Sequence, residues 1–169
     1  MKPVAIVIPI FKESLTSTEE KSLNQCLCIL KKYNIHFIAP YGLAPRYISL
    51  HDGIHIDYFS EKFFYNTRAY NKLMVSIEFY KRFTDYEYIL LYQLDSFVFG
   101  DELEYWCGRN FDYIGAPWFI EGRILPNSGN GGFSLRRINS FIAVLSAKKK
   151  RLNDLRSLND RVSPFVKKV

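Results

Sequence analysis

EYILLYQLDSFVF, residues Glu87 to Phe99, contains the most apolar strand pattern of the chain, Tyr88 to Leu94. A run so apolar, interrupted only by Gln93 near its end, suits a strand covered on both faces, and therefore one near the centre of a mainly parallel sheet. Such a strand delivers Asp95 to its carboxyl end. A carboxylate there can bind a hard divalent cation that bridges phosphate oxygens, or it can cap the following turn through a local backbone bond. Gln93 stands two residues earlier and points to the same side of the strand. A Gln-x-Asp pair can thus serve a ribose hydroxyl and a metal together.

Working outward, strands alternate with helices. Val4 to Ile8 is a β-branched run ended by Pro9, and Ile35 to Ala39 is a second strand stopped by Pro40. Ile54 to Phe59 alternates weakly, as an edge strand does. Ser17-Thr18-Glu19-Glu20 has capping-box spacing before Leu23, Leu27 and Leu30, which predicts a helix to about Tyr33. Asn66 to Phe83 carries Tyr70, Leu73, Met74, Ile77 and Tyr80 at helical spacing, predicting one amphipathic helix. A short helix over Asp101 to Cys107, strands at Tyr113-Ile114 and Phe133 to Leu135, and a final helix from Ile138 to Lys150 complete the pattern. Alternating elements with buried strands predict an α/β sandwich with a mainly parallel sheet. Ligands of such sheets bind beyond the carboxyl ends of the strands.

Composition sets the frame. The chain has 169 residues, 48% of them hydrophobic, with twelve Tyr and fourteen Phe, enough for one domain with a sizeable core and against disorder. The net charge of +6 suits an anionic partner. Much of it sits in Lys148 to Arg151 and in Lys167-Lys168, which reads first as a solvated helix end. No nucleic-acid motif accompanies it. Cys26, Cys28 and Cys107 form no CxxC pair, so reduced thiols in a cytosolic protein are expected. MKPVAIVIPIF is too short to cross a membrane.

SGNGGFSLRR, Ser128 to Arg137, sets bare backbone directly before a strand. Glycines allow close approach to a sugar or phosphate, although a tight turn needs one or two of them anyway. Asn130 offers a donor and an acceptor for hydroxyls. Of the adjacent Arg136 and Arg137, one must face water. Trp118 in YIGAPW, Tyr113 to Trp118, can stack on a sugar ring or simply lie half-buried at a strand end. His36, His51 and His55 lack a His-x-x-x-His spacing; His51-Asp52 and His55-Asp57 could be ligands but read first as surface loop residues. Walker A, Gly-x-Gly-x-x-Gly and Gly-x-Ser-x-Gly motifs are absent, which removes the common mononucleotide, dinucleotide and esterase classes.

Taken in order, Val4 to Pro9, the Tyr-Asn-x-Leu-Met helix at Tyr70 to Met74, Tyr92 to Phe99, Tyr113 to Trp118 and Gly129 to Arg136 resemble the GT-A class of nucleotide-sugar glycosyltransferases. They resemble most closely a set of uncharacterised microbial GT-A-like domains. The resemblance runs from residue 4 to about 140. It implies a Rossmann-like GT-A sandwich as a single domain over 1–169. It also implies transfer of a sugar from a nucleoside diphosphate to an acceptor hydroxyl, in polysaccharide or glycan synthesis. The donor would meet Pro9, Ile10, Phe11, Lys12, Asn71, Gln93, Asp95, Trp118, Asn130, Gly131, Gly132 and Arg137. The Asp-x-Asp signature falls on Asp95-Ser96-Phe97, where Phe97 replaces the second acid, so Asp95 alone would hold Mn²⁺ or Mg²⁺. The late catalytic acid of such enzymes would be Asp160, unless the chain is shortened there.

Two alternatives stand beside the glycosyltransferase. The missing second acid points to a non-catalytic or degenerate nucleotide-sugar-binding module. A nucleotidyltransferase is the third reading, although Ile10 to Glu13 is not its glycine-rich basic loop. The expected place is the cytoplasm, with peripheral contact at the inner face of the membrane left open and no transmembrane segment.

Overall fold

Val4, Ala5, Ile6, Val7 and Ile8 are all buried, which puts β1 (Lys2–Pro9) inside a sheet covered on both sides. The structure is a computed structural model describing residues 2–43, 53–124 and 129–166. Beside β1 stand β2 (Asn34–Pro40), then the edge strand β3 (Ile54–Phe59), both parallel to it. On its other side lies β4 (Tyr86–Tyr92), again parallel. Past β4 come β8 (Asn130–Arg137), antiparallel, and β5 (Tyr113–Ala116), antiparallel to β8 and so running with β4. The six-stranded order is β3-β2-β1-β4-β8-β5. A separate hairpin pairs β6 (Phe119–Ile120) with β7 (Arg123–Ile124). The fold is α/β and Rossmann-like, with a mainly parallel mixed sheet flanked by helices.

Alternation along each strand divides its side chains between two cores. Val4, Ile6, Ile8, Leu90 and Tyr92 pack with Leu23, Cys26 and Leu30 from α1 (Ser17–Ile29) and its cap, and with Leu103 of α4 (Leu103–Gly108). Ala5, Val7, Ile89 and Leu91 face the other way. They meet Leu73 and Met74 of α2 (Thr67–Met74), Phe79 and Tyr80 of α3 (Ile77–Lys81), and Ile138 of α5 (Ile138–Val166). Each large aliphatic or aromatic side chain so buried contributes about 1.5–3 kcal/mol. No helix among the described residues is long and apolar enough to cross a membrane.

Several sequence expectations need correction. The capping box lies one residue earlier than the Ser17 spacing suggests. Glu19 N–H donates to Thr16 Oγ1 (3.3 Å), and Thr16 N–H donates back to the Glu19 carboxylate (2.8 Å). The helix over Asn66 to Phe83 is two helices. Ser76 Oγ accepts from Phe79 N–H (3.2 Å) and starts α3 afresh, while Tyr80 Oη donates to Met74 O (2.9 Å) and ties the joint. The strand foreseen at Phe133 to Leu135 begins at Asn130, so Asn130 to Gly132 belong to β8 itself.

Candidate functional site

The strand order reverses between the parallel strands β1 and β4, since β1 leads away to β2 while β4 leads to β8's side of the sheet. In open α/β sheets the crevice at such a switch point binds the ligand. Here Pro9, Ile10, Phe11 and Lys12 leave β1, and Gln93, Leu94 and Asp95 leave β4, along the walls of one cleft of about 500 Å³. Asn66, Thr67 and Tyr70 of the α2 region close it from above the sheet. The segment after β4 is pinned from behind. Ser22 Oγ donates to Ser96 O (2.6 Å), and Gln25 Nε2 donates to Val98 O (3.0 Å). Asp95 therefore projects from an anchored turn, which the Ser96 N–H to Gln93 O bond closes (2.9 Å).

Six expected donor residues converge here: Pro9, Ile10, Phe11, Lys12, Gln93 and Asp95. Gly132 joins them indirectly, because Gln93 N–H donates to Gly132 O (2.8 Å). A Cβ at Gly132 would stand 2.5 Å from Gln93 Oε1, so the glycine makes room for that carboxamide. Gly129 has another reason to be bare. Its α-carbon abuts the backbone of Gly115 and Ala116, which draws β5 against β8 at an irregular register. Asn130 Oδ1 accepts from Gly132 N–H (2.8 Å), and Gly131 O accepts from Ser134 Oγ (2.9 Å) and Arg136 Nη2 (3.0 Å). Much of the bare main chain is thus engaged inside the protein.

Other expected residues lie elsewhere. Asn71 is exposed on α2 and does not line the cleft; its neighbour Tyr70 does. Trp118, 46% exposed, is also outside the cleft wall. Arg137 pairs with Tyr88 in the ladder and with Glu87 through an ion pair of 2.8 Å, at the amino end of β4 and thus the far end from Asp95. Strand alternation instead turns Arg136 toward the α2–α3 side. Asp160 belongs to α5, and its side chain lies outside the described residues. His36 lies on β2, within the strand expected there, and His55 lies on β3 rather than in a surface loop. Their rings stack at 4.9 Å, and His36 bonds to Asp57 (2.7 Å) and Tyr86 (3.0 Å). His51 falls outside the described residues.

The electrostatics narrow the choice of groups. Lys12 and Glu19 form an ion pair at 2.7 Å. The Lys12 bond, helped by Thr16 and opposed by burial, holds the Glu19 carboxyl below its usual range. Asp95 has no hydrogen bond or ion pair among the described residues. Those residues contain no group of three His, Cys, Asp or Glu fit to hold a metal.

A Rossmann-like sheet with a cleft at its switch point defines the class: an α/β protein with an open, mainly parallel mixed sheet. Over residues 53–164 the chain matches the family described as "Protein of unknown function (DUF5672)", and it belongs to that family. No curated protein matches it. Among solved structures, the 4-diphosphocytidyl-2C-methyl-D-erythritol synthase of Anaerococcus prevotii DSM 20548 is similar, with a TM-score of 0.54 and 11% identity. That likeness covers 88% of this chain and 76% of the other, and it is one of fold.

Proposed function

We propose that the cleft binds a nucleoside-diphosphate sugar and that the protein transfers the sugar to an acceptor hydroxyl. The carrying observation is the unpaired Asp95 carboxylate at the switch point, beside Gln93 and facing the end of β1. In this reading Pro9 to Phe11 hold the base and Gln93 the ribose. Asp95 would ligate Mn²⁺ or Mg²⁺, a cation that stabilises charge building on a leaving diphosphate when it is bound. Lys12 adds positive charge near the phosphates, moderated by Glu19.

A second reading is supported by the single free carboxylate: a module that binds the nucleotide sugar without turnover. The solved neighbour is named for a product with a diphosphocytidyl group, so CDP belongs among the nucleotides to be tried. Calorimetric titration of UDP, GDP and CDP with Mn²⁺ or Mg²⁺ should show binding by wild type and weaker binding by Asp95→Ala. Failure of all three to bind wild type would overturn both readings. Donor hydrolysis or transfer by the purified protein would separate the enzyme from the binding module.

A further inference from the structure

Two side-chain hydroxyls among the described residues are buried without a hydrogen-bond partner, Tyr70 Oη and Tyr88 Oη. An orphaned buried donor destabilises the fold that contains it. Tyr88 sits on the α1–α4 side of β4 with the Arg137 guanidinium 5.7 Å over its ring, away from the cleft. Tyr70, by contrast, lines the cleft. Burial pushes the Tyr70 phenol up to about 12, opposed by the Gln93 amide, which lies beside the hydroxyl without reaching hydrogen-bond geometry, and by the Arg136 charge. Asp95 acts on the same hydroxyl in the opposite sense. Tyr70 Oη therefore stands as a neutral donor among Gln93, Arg136 and Asp95.

Arg136 poses a matching question. It is 6% exposed, and a guanidinium keeps its charge in proteins. Its donors go to Ser134 Oγ (3.0 Å), Tyr80 Oη (2.9 Å) and Gly131 O (3.0 Å), all neutral. Its face lies against Phe141 (5.5 Å) and Tyr113 (6.0 Å). No carboxylate pairs with it among the described residues. A buried cation with only neutral partners is costly unless an anion comes to share its field.

The amino end of α2 opens on the same cleft through Asn66 and Thr67. Asn66 Oδ1 takes the Ala69 N–H (2.9 Å), and earlier first-turn amides retain their capacity toward an anion. Three independent features thus favour negative charge at one place: a spare hydroxyl donor, a buried cation and a helix amino terminus.

We infer that Tyr70, backed by Arg136 and the amino end of α2, forms a subsite for a phosphate group of the cleft's ligand. The inference rests on the reading that this ligand carries phosphate. Tyr70 donates its O–H to a phosphate oxygen, and Arg136 acts through its field without contact. The orphaned hydroxyl is then satisfied only when ligand is bound.

The test compares Tyr70→Phe with Tyr88→Phe in thermal unfolding and in calorimetric binding of UDP, uridine and inorganic pyrophosphate. Both variants should raise the unfolding midpoint of the free protein, because each removes an orphaned donor. Tyr70→Phe should weaken UDP and pyrophosphate about tenfold while sparing uridine, and Tyr88→Phe should change neither. Unchanged phosphate affinity in Tyr70→Phe would overturn the subsite while leaving the nucleotide reading intact. A wild type that binds uridine but neither UDP nor pyrophosphate would overturn the phosphate reading itself. Arg136→Lys should retain more phosphate affinity than Arg136→Gln. Equal losses of uridine and UDP in both would make Arg136 a scaffold and remove it from the subsite.

Discussion

Gln93 donates its backbone N–H to Gly132 O at 2.8 Å, while its own carboxamide occupies the space that a Cβ on Gly132 would need. One side chain at the tip of β4 thereby requires bare backbone in the neighbouring strand.

Gly132→Ala follows from that contact. The added methyl would meet the flexible end of Gln93 at 2.5 Å, and the carboxamide would turn aside into the cleft. Stability should fall by less than about 1 kcal/mol, whereas nucleotide affinity should drop clearly. Denaturant midpoints and calorimetry on the same preparation check both halves; unaltered binding would detach Gln93 from the ligand.

Gly129→Ala should behave in the opposite way. Its methyl would press on the backbone of Gly115 and Ala116, which cannot rotate out of the way. Strands β5 and β8 must part, at about 1–3 kcal/mol. Gly100→Ala, where nothing lies within 4 Å, serves as the silent control in urea unfolding.

Arg137→Ala tests the polarity of the site. The residue pairs with Glu87 at the end of β4 remote from Asp95. Both partners are partly exposed, so the change should cost under about 1 kcal/mol and leave ligand affinity untouched. A marked loss of UDP binding would contradict the arrangement described above.

Glu19 provides a pH test. Its folded pKa lies below the ordinary value of 4.5, chiefly through Lys12. Its contribution is therefore present above pH 4.5 and disappears as pH falls through the lower folded value. The pair is partly exposed, so the effect is under about 1 kcal/mol. Wild type should exceed Glu19→Gln in stability at pH 7, and the gap should close as pH falls below 4.5 through the lower folded value.

The thiols should react unequally. Burial pushes Cys26 up to about 12 and Cys107 up to about 11, while Cys28 is exposed. A native thiol titration at pH 8 should therefore show one fast group, lost in Cys28→Ser. Three equally fast groups would mean that the α1–sheet core opens readily.

Much of this architecture could be read from residue order alone. The runs Val4 to Ile8 and Tyr88 to Tyr92 are hydrophobic at every position, and only a doubly covered strand makes use of that. Their ends mark where Pro9 to Lys12 and Gln93 to Asp95 emerge, and those segments do share a cleft. The break between α2 and α3 was not legible, because the apolar spacing of Tyr70, Leu73, Met74, Ile77 and Tyr80 continues across it. A single Ser76 hydroxyl bond restarts the helix.

Residue order also left open which arginine turns inward, and it marked Asn71 where Tyr70 lines the cleft. Helical periodicity counts Tyr70 as one more core residue and carries no record that its hydroxyl lacks a partner. Local pattern specifies strands and their ends because burial on two faces is written into consecutive side chains. Only the tertiary structure decides which side chains meet across β4, β8 and α2, because those contacts join residues some sixty positions apart, such as Tyr80 and Arg136.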